Sequence, residues 1–226
     1  MSSQVRPPVA HFRGLTRVTP ADCAEDRLLT DLDAVVTWLF DYVSQPAAGI
    51  GRSGPVCPFV PVSLRADAIR FHFHYRAGAA LLAVLADEIA GFASHAGQKP
   101  ARSVIVALPD IGPDGWRQLD EGYPRLKDSA VRRGLMIGQF HPACDVPAVR
   151  NAAWPVSRSP LALLVIRDMA PHDILFLADR RTWFAEFRQR FGADFEAGKV
   201  RDRLTLDRYR AAADRFVRVE ADRGGG

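Results

Sequence analysis

Lysine is almost absent from this chain. Only Lys99, Lys127 and Lys199 stand among 30 basic residues in 226, so the positive charge is carried by arginine. The acids are threaded between the bases, as in "RDRLTLDRYRAAADRFVRVEADR". The formal net charge of +4 and pI of about 9.2 therefore gather into no stripe that would track a phosphate backbone, and nucleic acid is not expected as a partner. Cysteine is scarce as well: Cys23, Cys57 and Cys144 lie far apart and no CxxC occurs. That excludes a disulfide framework and fits a reducing, cytoplasmic setting. No apolar run reaches the roughly 18 residues that span a bilayer, and "MSSQVRPPVAHFRG" has no apolar stretch of the secretory kind. No membrane role is expected. GxSxG, Walker-type and GxGxxG motifs are missing too, which leaves acyl transfer, nucleotide hydrolysis and dinucleotide binding without motif support.

What is present is a chain that is 48% hydrophobic, enough to bury a substantial core. Residues 1–18 hold two adjacent prolines and no apolar period, which predicts a flexible N-terminal arm. Thr19-Pro20 reads as a helix start, with Leu28, Leu32, Val35, Val36 and Leu39 on a helical period running to about Gln45. "AIRFHFHY" alternates apolar and polar residues as a half-buried strand does. "AALLAVLADEIAGFASH" follows as a helix, then "RSVIVALP" as a buried strand. "DGWRQLDEGYPRLKDSAVRRG" reads as a helix kinked near Pro124, "LMIGQF" as a strand and "LALLVIR" as a fourth strand. Two closing helices complete the chain. The expected class is α+β or α/β: one central sheet of about four strands flanked by helices, a helical C-terminal part, and a single domain over 19–222.

Two long stretches without predicted structure, 46–58 and 141–160, attract attention because such loops tend to carry function. "GQFHPACDVPAVRN" places His141 and Cys144 just past a strand, braced by Pro142 and Pro147. Strand ends are where such scaffolds hold their chemistry. His141 is thus a candidate metal ligand or general base, against a plain loop histidine bonded to backbone. HxxC offers two ligands to zinc, with no second pair at metal spacing. His72 and His74 project from one strand face and suit two metal ligands or simply the polar side of that strand. Cys57, between prolines, is a candidate thiolate or a small buried hydrophobe. Arg150, Arg158 and Arg167, with Asn151, Ser157 and Ser159, can clamp a carboxylate or form ordinary surface; Trp154 suits a pocket wall.

"CPFV" before "AIRFHF", then "FHPACDVPAVRN", "PVSRSPLALLVIR" and "MAPHDILFL", resemble a bacterial family associated with natural-product gene clusters (DUF6875-like). The same order distantly resembles the YqcI/YcgG family, which includes haem-dependent N-hydroxylases. The resemblance covers about residues 52–178. It matches His141 and Pro142 to a His-Pro motif, Cys57 to a family cysteine and His172 to a later histidine. Two positions depart: "APHDILFL" has no asparagine two places before its histidine, and Cys144 replaces a serine. The resemblance implies b-type haem held by His141 as metal ligand, with Cys57 as the other axial candidate and Arg158 on a propionate. His172 and Arg150 take catalytic or substrate-anchoring roles. The implied activity is an oxygenase that oxidises a nitrogen of a small amino-acid-like substrate, supplied by an electron donor. A second copy of the chain is a further partner that this reading admits. The alternatives are a cofactor-free binding or accessory protein, and a non-haem metal enzyme using His72, His74 and His141.

Overall fold

The computed structural model describes residues 6–94 and 102–218. It is a mixed α/β structure whose sheet has five strands rather than four, in the order β1-β2-β3-β7-β4. The additional strand is β1 (Thr16–Thr19), three of whose four residues fall in the stretch expected as an arm. It pairs parallel with β2 (Ile69–His74), Thr16 opposite Phe71. Helix α1 (Val9–Arg13) precedes it and buries Phe12. Residues 1–5 of that arm and 219–222 of the expected domain lie outside the described residues. Thr19 closes β1 instead of capping a helix, and α2 (Glu25–Trp38) begins five residues after Pro20.

The described residues divide into two compact units. One comprises the described parts of Met1–Leu126 with Ile137–Arg167; the other comprises Lys127–Met136 with the described part of Asp168–Gly226. In the first, β2 continues into β3 (Ser103–Leu108) as a parallel pair, and β7 (Ala162–Asp168) runs antiparallel to β3. Alternation along β2 sends Ile69, Phe71 and Phe73 into the core formed with Leu28, Leu32, Val35 and Val36 of α2. Full burial of each such side chain contributes about 1.5–3 kcal/mol. The i, i+4, i+7, i+8 spacing on α2 is what points all four at the sheet.

The opposite face of β2 carries His72 and His74, covered by α4 (Leu81–Ser94). Glu88 of α4 meets both: its carboxylate lies 2.7 Å from His72 Nδ1 and 2.8 Å from His74 Nε2. Arg17, register partner of His72 on β1, donates to the same carboxylate. Burial would raise the Glu88 carboxyl. The hydrogen bonds from His72 and His74, with the charge of Arg17, overturn that and hold it far below the ordinary carboxylate range. These two histidines thus serve a buried polar knot.

α3 (Val60–Arg65) precedes β2, and α5 (Pro113–Arg132) joins β3 to β4 (Leu135–Phe140). Pro124 is accommodated inside α5, which stays one helix over its 20 residues. The other unit is helical: α6 (Ile174–Leu177), α7 (Arg181–Glu196) and α8 (Arg203–Ala213) close on Trp183, Phe184, Phe187, Phe195 and Tyr209. Among the described residues no helix is long and apolar enough to cross a membrane.

Replacing Glu88 by Gln is expected to cost on the order of 2–3 kcal/mol at pH 7, since it strips the shared charge from a buried knot. A carboxylate with a depressed folded pKa stabilises above its unfolded value of about 4.3 and loses that contribution as pH falls. Urea unfolding of wild type and Glu88→Gln is therefore expected to differ most near neutrality, and the difference is expected to start shrinking only below about pH 4, as pH falls toward the depressed folded pKa. Equal stability at pH 7 would refute the role.

Candidate functional site

β4 ends at Phe140, and the chain turns at once. In His141-Pro142-Ala143-Cys144 the Cys144 amide donates to the His141 carbonyl at 3.0 Å, with proline at the position where its fixed φ suits a tight turn. This folds Cys144 back beside His141. The third group comes from α5: Asp120 Oδ1 stands 3.2 Å from His141 Nε2. One atom each of Asp120, His141 and Cys144 can be chosen so that all lie within 4.8 Å of one another. Among the described residues no other group of three or more histidine, cysteine or acidic side chains converges so closely.

The shell around this triad is specific. Trp116, one helical turn before Asp120, stacks on the His141 ring, centroids 5.5 Å apart and planes 18° off parallel. Gln139, two residues before His141 on β4, donates to Asp120 Oδ1 at 2.7 Å and fixes the carboxylate. His141 is 3% exposed and Cys144 buried, while the Asp120 side chain is 46% exposed, so the cluster opens to solvent on one side only. His141 Nδ1 and Gln139 Oε1 are both buried without a hydrogen-bond partner among the described residues. A buried unsatisfied acceptor costs about 1–3 kcal/mol, which makes such atoms informative. Burial pushes the Cys144 thiol up. The backbone amides of Val146 and His141 work against that, and the charges of Asp120 and Asp145 add to it.

Of the sequence candidates, His141 and Cys144 are brought together. Cys57 is half-buried against the first unit's core, its amide bonded to the Val43 carbonyl. Arg158 pairs with Asp145 at 2.7 Å on the surface. Arg150 sits in the turn between β5 (Pro147–Ala148) and β6 (Asn151–Pro155), its carbonyl against Gly51. Arg167 lies over the Phe59 ring, and His172 belongs to the other unit, in the turn Pro171–Asp173. The two long loops pack on each other: Asn151 donates to the Gly49 carbonyl at 2.8 Å. The Trp154 ring lies so close to Gly49 that a Cβ there would stand 2.0 Å from it. The 141–160 loop is thus partly a hairpin.

Asp120, Trp116 and Gln139 escape sequence reasoning. Nothing in "DGWRQLD" marks Asp120; the only signal is geometric, the antiparallel return of β4 along α5.

The chain belongs to the family described as Domain of unknown function (DUF6875), whose model matches residues 32–202. The match includes Asp120, His141 and Cys144. No curated protein and no solved structure matches the chain.

A brief exposure to iodoacetamide at pH 7.5 is expected to leave Cys144 unmodified in the folded protein and to label it in urea, read by peptide mass spectrometry. Labelling of Cys144 in the native state at the rate of a free thiol would overturn its buried placement.

Proposed function

We propose that Asp120, His141 and Cys144 hold one transition-metal ion and that the protein is a metal-dependent enzyme acting on a small molecule. The observation that carries this is the convergence of the three donors around a buried imidazole whose Nδ1 has no partner. A thiolate, an imidazole and a carboxylate favour zinc or ferrous iron over magnesium or calcium, and zinc suits the set best. Structural zinc sites are closed by four protein ligands, whereas catalytic ones keep a position open; three donors with a solvent-facing Asp120 match the second pattern. Bound there, such an ion supplies Lewis-acid polarisation and activates water near neutral pH.

The chain's own groups have definite tasks. Trp116 covers one face of the imidazole and keeps water from it. Gln139 orients the Asp120 carboxylate, the member of the triad that a substrate reaches first. The amides of Val146 and His141 favour the charged form of Cys144 against its burial, so the thiol proton leaves when a cation arrives.

The haem-dependent N-oxygenase reading uses the same imidazole and is the second proposal. It is favoured by Asp120 lying beside one ring nitrogen while the other has no partner, the arrangement that orients an axial histidine. Arg150 and Arg158, on the same loop, remain its candidates for a carboxylate or propionate clamp, with Cys57 in the role the resemblance assigns. A porphyrin needs a broad face beside a ring that is 3% exposed and stacked on Trp116; a single ion needs only the space among three side chains. The ion therefore stands first.

Elemental analysis of the purified chain, after dialysis against zinc and then metal-free buffer, is expected to find about one zinc per chain, the number one triad holds. His141→Ala and Cys144→Ser are each expected to abolish it while circular dichroism stays unchanged. A colourless, metal-free protein that gains a Soret band on haem addition, lost in His141→Ala, would replace the first reading by the second. Neither metal nor Soret band would sink both.

A further inference from the structure

The helical unit contains an open cavity of about 370 Å³ along one face of α7, lined by Arg181, Phe184, Arg188, Gly192, Glu196 and Phe216. The residues recur every three or four positions, so they share one helix face. Near its C-terminal end two opposite charges flank a gap: an Arg188 guanidinium nitrogen lies 3.9 Å from Glu196 Oε1, a loose ion pair. Between them sits Gly192. A Cβ there would stand 3.0 Å from Arg188 Cγ and 3.2 Å from the Tyr209 hydroxyl, so Gly192 stands between that buried hydroxyl and the cavity. Glycine in mid-helix is disfavoured relative to alanine, a cost the packing here accepts.

Tyr209 is the second, independent observation. Its ring is 6% exposed, stacked on Phe195 at 4.3 Å, and its hydroxyl is buried with no hydrogen-bond partner among the described residues. Burial raises its pKa, Arg188 lowers it and Glu196 raises it, so both charged groups lie close to the hydroxyl. Above this polar end, Phe184 and Phe216 form an apolar wall, ring centroids 6.0 Å apart.

We propose that this cavity binds a free α-amino acid with an apolar or aromatic side chain. The carboxylate meets Arg188 and accepts from the Tyr209 hydroxyl past Gly192, and the ammonium meets Glu196. The side chain lies on Phe184 and Phe216. A zwitterion satisfies both members of the loose pair at once, which neither a simple acid nor a simple amine does. The proposal stands independently of the metal centre.

Calorimetric titration of the full chain with L-phenylalanine, L-leucine, 3-phenylpropionate and phenethylamine tests it. The two amino acids are expected to bind, and the two truncated analogues at least about tenfold more weakly, the loss of one charge-assisted contact. Tyr209→Phe is expected to weaken L-phenylalanine about tenfold with the unfolding midpoint nearly unchanged. Glu196→Gln is expected to bring it to the level of 3-phenylpropionate. Gly192→Ala, which puts a methyl group against Arg188 and the Tyr209 hydroxyl, is expected to abolish binding without loss of helix content. Equal binding of L-phenylalanine and 3-phenylpropionate would overturn the zwitterion assignment, and no heat from either amino acid would overturn the site.

Discussion

The reversal between α5 and β4 is the constraint on which the candidate site depends. Gly134 adopts φ +73°, a conformation glycine takes without penalty, and its amide bonds back to the Val131 carbonyl at 2.9 Å. The helix therefore stops within two residues and the strand starts at Leu135. From that turn the chain runs back along itself at two different rates. Asp120 lies about 21 Å back along a helix rising about 1.5 Å per residue, and His141 about 23 Å forward along a strand rising about 3.3 Å per residue. Residues 21 apart in sequence thus come level, and the side-chain hydrogen bonds from Gln139 and His141 to Asp120 fasten them.

This arithmetic explains what was legible in the sequence. Periodicity revealed α2, α4, α5, α7 and α8 with β2, β3, β4 and β7, because each buries an apolar face: Ile69, Phe71 and Phe73 alternate, and Leu28, Leu32 and Val35 step around α2; the short α1 and α3 escaped it. β1 escaped because four residues, "TRVT", carry no alternation strong enough to outweigh the prolines before them. Its pairing is supplied by β2, not by its own composition. The β5–β6 hairpin escaped for a related reason. β5 is only two residues long and β6 exposes Ala152, Ala153 and Trp154, so no continuous buried face marks them. Thr19-Pro20 looked like a helix start by local chemistry, yet backbone pairing with β2 claimed Thr19 first.

The site was half legible. His141 and Cys144 are signalled by their place after a strand and by the proline that makes their turn. Asp120 has no local signature, since a lone acid on a helix is usually solvated surface. His72 and His74 show the converse. Their spacing suited a ligand pair, and the structure has both hydrogen-bonded to the Glu88 carboxylate. What separates the two cases is the partner across the fold. The first has three donor types around a buried nitrogen left without a bond; the second has one acid already engaged by every group that faces it.

That engagement sets how the sequence can drift. Because one carboxylate at Glu88 serves two imidazoles and a guanidinium, each of the three arms is partly redundant and tolerates exchange while the others persist. The hub has no such freedom, since any change there strands all three at once. Position 88 is thus the fixed point, and exchange at 17, 72 or 74 is expected one arm at a time along any lineage that keeps this sheet.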